Sequence, residues 1–279
     1  MKNCRITIAQ LAPALLDLNK NTQRIAEILD AHSKTDLIVL PELYLTGYSI
    51  ADKIQNAHDK AALKTDIDGS LRYLKVLSQR THVDILISYP LFIDEPDFKP
   101  YIALEYISNG ETLALHKKIN LCNYAQYTEH LTFSAGDEVT VAKTLNSTAG
   151  LFICEDLWHI TNAIFAASLG AEVLFYPSAA TVLDKSMGES CLINWKRLTV
   201  CTAFSQTSYV ICCNQAAGGD QYYFGGSHVV GPNGSVLCQL PLFDEAVADI
   251  ELDGDALARE RAKRPLVANE RLEIYRKYI

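Results

Sequence analysis

Short apolar runs alternate along this chain with segments of helical periodicity, and the alternation is broken twice by hairpin turns. Cys4–Gln10 alternates in side-chain character and is rich in β-branched residues, which predicts a strand. Asn19–Ala31 sets Ile25, Ile28 and Leu29 at helical spacing, and Asp36–Leu40 is an apolar run stopped by Pro41. Gly69–Thr81 predicts a helix and Val83–Phe92 a buried strand. Tyr101–His116 carries Asn109-Gly110 between two alternating runs, and Pro232-Asn233-Gly234 offers a second turn. Asn-Gly favours positive φ at both central positions, the condition for a two-residue hairpin. Leu151–Cys154, Glu172–Tyr176, Tyr209–Asn214 and Ala246–Leu252 predict further strands. Ile160–Leu169, Leu192–Gln206 and Asp255–Arg264 predict helices, the last halted by Pro265. This order calls for helices packed outside β-sheets, and the hairpins argue against a purely parallel, doubly wound sheet.

No repeat, low-complexity tract or Gly/Ser linker divides the 279 residues, so one domain over 1–279 is expected, with Asp94–Pro100 and Gly218–Tyr223 as internal loops. A chain of this length buries a core without disulfides. A net charge of −8 argues against nucleic acid or anionic membrane as partner. No apolar stretch approaches the ~18 residues of a membrane span. The opening MKNCRITIAQL lacks the apolar core of a signal peptide. Eight cysteines without CxxC or framework spacing point to free thiols in a reducing cytoplasm. Seven histidines without HExxH spacing give no metal site.

Three segments close an apolar run on a group with chemistry. Glu42 stands in PELYLTGY (Pro41–Tyr48), Lys117 and Lys118 in LHKKINL (Leu115–Leu121), and Cys154 in GLFICEDLWH (Gly150–His159). A thiol that attacks, a carboxylate that moves protons and an ammonium that holds developing negative charge can break a carbon–nitrogen bond with no cofactor. Glu42, flanked by Leu40, Leu43, Tyr44 and Leu45, is expected to be desolvated and shifted toward a useful base. Pattern alone leaves open which lysine turns inward. Cys154, ending a strand and entering a helix, is expected beside free N–H groups that favour its thiolate. The plainer alternatives are a solvated loop acid and a buried small hydrophobe. Cys4, Cys201, Cys212, Cys213 and Cys238 read as structural. His159 and His228 read as surface or core histidines, and Met187 and Tyr222-Tyr223 as loop packing.

With the opening Ile6–Leu11, Pro177–Ala179, Pro232–Gly234 and the tail Arg264–Tyr275, these segments resemble the nitrilase superfamily of carbon–nitrogen hydrolases across nearly the whole chain. The resemblance implies Glu42 as general base, Lys118 (just before Ile119-Asn120-Leu121) as catalytic lysine and Cys154 as nucleophile. It makes Glu129, otherwise a loop acid, the second glutamate that orients the lysine. It implies a four-layer α-β-β-α sandwich pairing through Ile160–Leu169 and Leu192–Gln206 into a homodimer or larger oligomer, with the tail 264–279 crossing to a neighbour. The implied reaction takes a small amide and water through a thioester, releasing ammonia or an amine, with Lys118 and the Glu155 N–H on the oxyanion.

CEDLW at Cys154–Trp158 and the stretch Asn214–Gly234 look most like glutaminase domains of glutamine-dependent NAD synthetases. That likeness puts Tyr48, Tyr124, Glu155 and Ser178 on the substrate pocket, where each otherwise reads as core or rim packing. Two features depart from it. AATVLDKSMGES after Ser178 holds no arginine for a glutamine carboxylate. The chain also ends at Ile279 without the P-loop or Rossmann glycines of an ATP-using domain. Three readings follow: an amidohydrolase of a small amide, a glutaminase subunit feeding ammonia to a separate enzyme, and a non-catalytic nitrilase-like binding module. Pocket shape is expected to depend on loops Ser49–Thr65, Cys122–Thr128 and Ala180–Ser190.

Overall fold

Side chains alternate across the strands, and here both faces of each sheet are apolar, so both must be covered. The computed structural model describes residues 1–93, 99–218 and 222–278. The first half runs β1 (Cys4–Gln10), α1 (Leu18–Ala31), β2 (Leu37–Val39), α2 (Ala57–Thr81), β3 (Asp84–Leu91), β4 (Tyr101–Ser108), β5 (Glu111–Lys117) and α3 (Glu129–Thr132). The second runs β6 (Thr140–Lys143), β7 (Thr148–Leu151), α4 (Ile160–Ser168), β8 (Val173–Ser178), β9 (Thr181–Val182), α5 (Gly188–Gln206) and β10 (Tyr209–Asn214). It closes with β11 (Tyr222–Tyr223), β12 (His228–Val230), β13 (Val236–Gln239), β14 (Ala246–Leu252) and α6 (Gly254–Lys263).

Two six-stranded mixed sheets result, ordered β14-β1-β2-β3-β4-β5 and β13-β12-β10-β8-β7-β6. In β8, Val173 and Phe175 join the core shared with the first sheet, while Leu174 and Tyr176 join the cluster under α4 and α5. In β10, Ile211 and Cys213 face inward and Val210 and Cys212 outward by the same rule. On the first sheet, α2 packs against β3 and β4 and α1 against α2. The layers are therefore helix, sheet, sheet, helix, the expected four-layer sandwich. The Cys213 thiol lies between the sheets, donating to Ala9 O at 3.6 Å and Val39 O at 3.4 Å.

Four local expectations change. The helix placed at Gly69 begins at Ala57, capped by Asn56, whose side chain accepts from Asp59 N. Burial of Leu63 and Ile67 outweighs an internal glycine, which costs only about 1 kcal/mol. The stretch Ser49–Thr65 therefore holds a 3-10 turn at Ala51–Lys53 and is helical from Ala57. The strand expected to reach Cys154 stops at Leu151, and residues 154–158 form a 3-10 turn. Cys201 is exposed on α5 rather than structural. Tyr222–Tyr223 is a short strand pairing with Thr181–Val182 rather than loop packing. Of the two internal loops, 94–98 and 219–221 lie outside the described residues, as does Ile279 of the tail. Among the described residues no helix is long and apolar enough to cross a membrane, and no group of three His, Cys, Asp or Glu could hold a metal ion.

Candidate active site

The segments after β2, β5, β7 and β8 converge where the two sheets face each other. Glu42 follows β2 and is fully buried. Strand ends of the opposite sheet fix its backbone: its N–H donates to Ser178 O at 3.4 Å, and Gln215 Nε2 donates to its carbonyl at 2.8 Å. Its carboxylate accepts from Ala179 N at 2.9 Å and from Lys118 Nζ at 2.8 Å. Lys118, one residue past β5, is the lysine that turns inward, fully buried, and its ammonium also donates to Glu129 Oε1 at 2.8 Å. Lys117 instead lies over the Tyr101 ring, 4.4 Å from its centroid. Glu129 stands on the single turn of α3. Its Oε1 also accepts from the Tyr48 hydroxyl, and its Oε2 accepts from Cys122 N at 2.9 Å. Beyond it the chain lies against the Lys118 strand end, where Gly136 N donates to Lys118 O at 2.7 Å. A Cβ at Gly136 would collide with the Lys117 backbone, so the position needs glycine.

Cys154 begins the 3-10 turn with φ +46°, a left-handed conformation that a non-glycine residue adopts only when its surroundings impose it. Asp156, fully buried, does much of the imposing. Its carboxylate accepts from Ile153 N at 3.1 Å and from Asn120 N at 2.8 Å, and contacts His116 Nε2 at 3.3 Å. Asn162 Nδ2 bridges the same two segments, donating to Asp156 O and Asn120 Oδ1. Asp156 thus ties the turn carrying Cys154 to the loop after Lys118. Sequence reasoning passed over it, although an acid two residues past the thiol was a visible signal.

Burial dominates the electrostatics. It raises the Glu42 carboxyl to about 7, opposed by the Lys118 ammonium and aided by the Glu129 charge, with hydrogen bonds from Lys118 and Cys154 on the lowering side. Burial alone would lower Lys118, but Glu42, Glu129 and Cys154 together hold its ammonium well above the usual range. The Cys154 thiol is pushed well up, first by burial and then by the Glu42 charge, with Lys118 opposing. Sulfur therefore rests protonated. The expected thiolate fails because burial, joined by the Glu42 charge from a distant segment, outweighs the local turn.

A cavity of about 570 Å³ opens onto Glu42, Cys154 and Glu129, within the size range of small-molecule sites. Tyr48, Tyr124 and Glu155 line it, and Tyr124 donates to Glu155 Oε2 at 2.9 Å. Ser178 is not among the lining residues: its hydroxyl turns away and donates to Tyr176 O at 3.1 Å. Tyr223, on β11, and Trp195, on α5, complete walls that the sequence did not indicate. A buried base sharing a hydrogen bond with a thiol, beside an ammonium with a third donor uncommitted to Glu42 or Glu129, can deliver a sulfur nucleophile and receive an oxyanion.

Known proteins resemble this chain in sequence and in fold. The profile of the family described as carbon-nitrogen hydrolase matches residues 5–261. A glutamine-dependent NAD(+) synthetase of Thermotoga maritima is 31% identical over 261 residues, covering 91% of this chain and 43% of its own length. The chain thus spans less than half of the synthetases it matches. Among solved structures, Saccharomyces cerevisiae Nit3, a member of branch 10 of the nitrilase superfamily, superposes with a TM-score of 0.80 at 23% identity, covering 95% of each chain. An amidase from Nesterenkonia sp. gives 0.79 at 22% identity, covering 99% of this chain and 96% of its own.

Proposed function

The chain belongs to the carbon-nitrogen hydrolase family, and from that premise we propose that it is a cysteine amidohydrolase of a small amide, working through a thioester. The observation that carries this reading is the buried Glu42–Lys118–Glu129 network at the thiol of Cys154. Glu42 takes the Cys154 proton as sulfur attacks the carbonyl carbon. Lys118 and the Glu155 N–H hold the tetrahedral oxyanion, each donor worth about 3–4 kcal/mol. The carbon–nitrogen bond breaks as Glu42 returns the proton to the leaving ammonia or amine. Glu42 then deprotonates a water that attacks the thioester, and sulfur leaves with the proton. Glu129, held by Tyr48, keeps Lys118 aimed. Eight free cysteines are in keeping with a reducing compartment.

The test is mass spectrometry after incubation with fluoroacetamide, whose carbon–fluorine bond sulfur can break with loss of fluoride. A mutant of the Nesterenkonia amidase carries the acetamide moiety of this compound on its active-site cysteine. A single adduct on Cys154, absent in Cys154→Ala, is the expected result. Labelling spread over other cysteines, with no ammonia released from any amide, would favour the binding module.

A second reading, a glutaminase supplying ammonia to a separate synthetase, is favoured by the synthetase relatives. Stimulation of turnover by such a partner would identify it. In either case we propose that a second copy covers α4 and α5, where Phe165, Leu169, Ile193 and Phe204 stand exposed. Phe165→Glu should reduce the mass measured by light scattering to that of one chain.

A further inference from the structure

The cavity is charged in one sense. Glu42, Asp52, Glu129 and Glu155 line it, and among the described lining residues there is no lysine or arginine. The Lys118 ammonium is not among the described lining residues, is engaged by Glu42 and Glu129 at 2.8 Å each, and keeps its remaining donor for the reacting oxygen, so it offers no free counter-charge to a remote group. Lys185, on the loop after Ser178, is drawn over the Phe243 and Tyr222 rings, 5.4 and 5.8 Å from their centroids, and does not line the cavity. The internal stretches outside the described residues, 94–98 and 219–221, contain no lysine or arginine either.

Glu155 is the informative member. It is only 6% exposed, and its carboxylate borders the cavity beside Cys154. Oε2 accepts from Tyr124, while Oε1 lies 3.7 Å from His159 Nε2, beyond hydrogen-bond length, on a half-exposed imidazole. A buried carboxylate so weakly paired is costly, and burial holds the Glu155 carboxyl above its usual range, with the Tyr124 hydrogen bond and the Lys118 and His159 charges opposing. Around it stand aromatic rings: Tyr124 packs edge-on to Tyr127 at 6.1 Å, and Trp158 edge-on to Trp195 at 6.0 Å. Aromatic faces beside a carboxylate attract cations.

We propose that the substrate amide carries a positive charge, an ammonium or guanidinium a few bonds from the scissile carbonyl and held by Glu155, and that it carries no carboxylate. This rests on the amidohydrolase reading and narrows it. Glutamine satisfies half of the requirement, because its ammonium meets Glu155 and its carboxylate meets only like charge.

The test uses three primary amides of matched shape: 4-aminobutanamide (cationic), pentanamide (neutral) and 4-carbamoylbutanoate (anionic), with glutamine as the zwitterion. Binding to Cys154→Ala is measured by calorimetry, and kcat/KM on the unaltered protein by ammonia release. The cation should exceed the neutral amide by about tenfold in both, and the anion should fall about tenfold below it, with glutamine below the cation. Glu155→Gln should bring the cation-to-neutral ratio to within about threefold, as expected when one buried charge sets it. Equal binding of all four, no measurable binding of the cation, or a preference for 4-carbamoylbutanoate or glutamine overturns the proposal. If Glu155→Gln does not fold, the order on the unaltered protein decides. The two readings fail separately: ordered binding without ammonia from any amide sinks the amidohydrolase and leaves the charge preference standing, whereas fastest turnover of the anion does the reverse.

Discussion

Lys118→Met should lower kcat/KM by about 10³ or more and destabilise the protein at the same time. The ammonium is fully buried and donates to Glu42 and Glu129 at 2.8 Å each. Two of its three donors are thereby used, leaving the third for the substrate oxygen. Loss of one oxyanion donor costs about 10²–10³ in kcat, and Glu42 also loses the bond that aims it. The structural loss has a different origin. Removing one partner of a buried ion pair costs about 3–5 kcal/mol, because the other charges stay behind. In a chain of this size that corresponds to a fall of roughly 6–15 °C in Tm. The fall should depend on pH. Without the ammonium Glu42 loses its main lowering influence, so its folded pKa climbs further above the unfolded value of 4.5. Stability tied to a raised carboxyl is present below the unfolded pKa and lost as pH rises through the folded one. The deficit should therefore be smaller at pH 5 than at pH 8. Melts at both values, with ammonia release at each, check this; a variant melting with the parent at pH 8 would show that the network is not held together by charge. Adding Glu42→Gln should recover part of the stability and none of the turnover.

How far the sequence disclosed this site follows from how local each signal is. Glu42 and Cys154 stand directly after apolar strand runs, and strand ends are where a sheet presents reactive groups. By pattern Lys118 was visible only as one of a pair, because the choice between it and Lys117 depends on which side of the chain after β5 meets the second sheet; the family resemblance, through Ile119-Asn120-Leu121, made that choice. Glu129 sits on a four-residue turn with no periodicity to read, so only the family resemblance singled it out. Ser178 was assigned to the pocket, yet it shares with Tyr176 the face of β8 that turns toward α4 and α5, and only strand register could have shown this. The thiolate expected at Cys154 came from its turn alone, whereas the protonation state is set by burial and by Glu42, from the other half of the chain. Asp156 escaped notice for the same reason, since its partners at His116 and Asn120 are brought to it only by folding. The layers themselves were readable because alternation and hairpin turns are local. The start of α2 was not, because Gly69 looked like a boundary while the residues that override it, Leu63 and Ile67, act through packing.

Glu42→Gln should lower kcat/KM by about 10²–10⁴, the usual contribution of a positioned acid–base group, and should remove the acid limb of the pH profile. Burial raises the Glu42 carboxyl to about 7, and in the proposed mechanism it must be ionised to take the Cys154 proton. Below that value kcat/KM should rise about tenfold per pH unit, and above it level off. The glutamine isostere keeps an acceptor for Ala179 N–H or for Lys118 but not both, because its amide nitrogen must then face a donor. The same titration acts on stability with the opposite benefit. A carboxyl raised from 4.5 to about 7 contributes stability that is complete below pH 4.5 and lost by about pH 7, a total of about 3 kcal/mol at 1.36 kcal/mol per unit. Over that window the unaltered protein gains its base and loses stability, while Glu42→Gln, which has no proton to release, should do neither. The difference in Tm between variant and parent should thus move in the variant's favour from pH 5 to pH 8. An acid limb surviving in Glu42→Gln with its midpoint unmoved would assign the proton transfer to another group, and a Tm difference flat with pH would mean that Glu42 is not the carboxyl held protonated by burial.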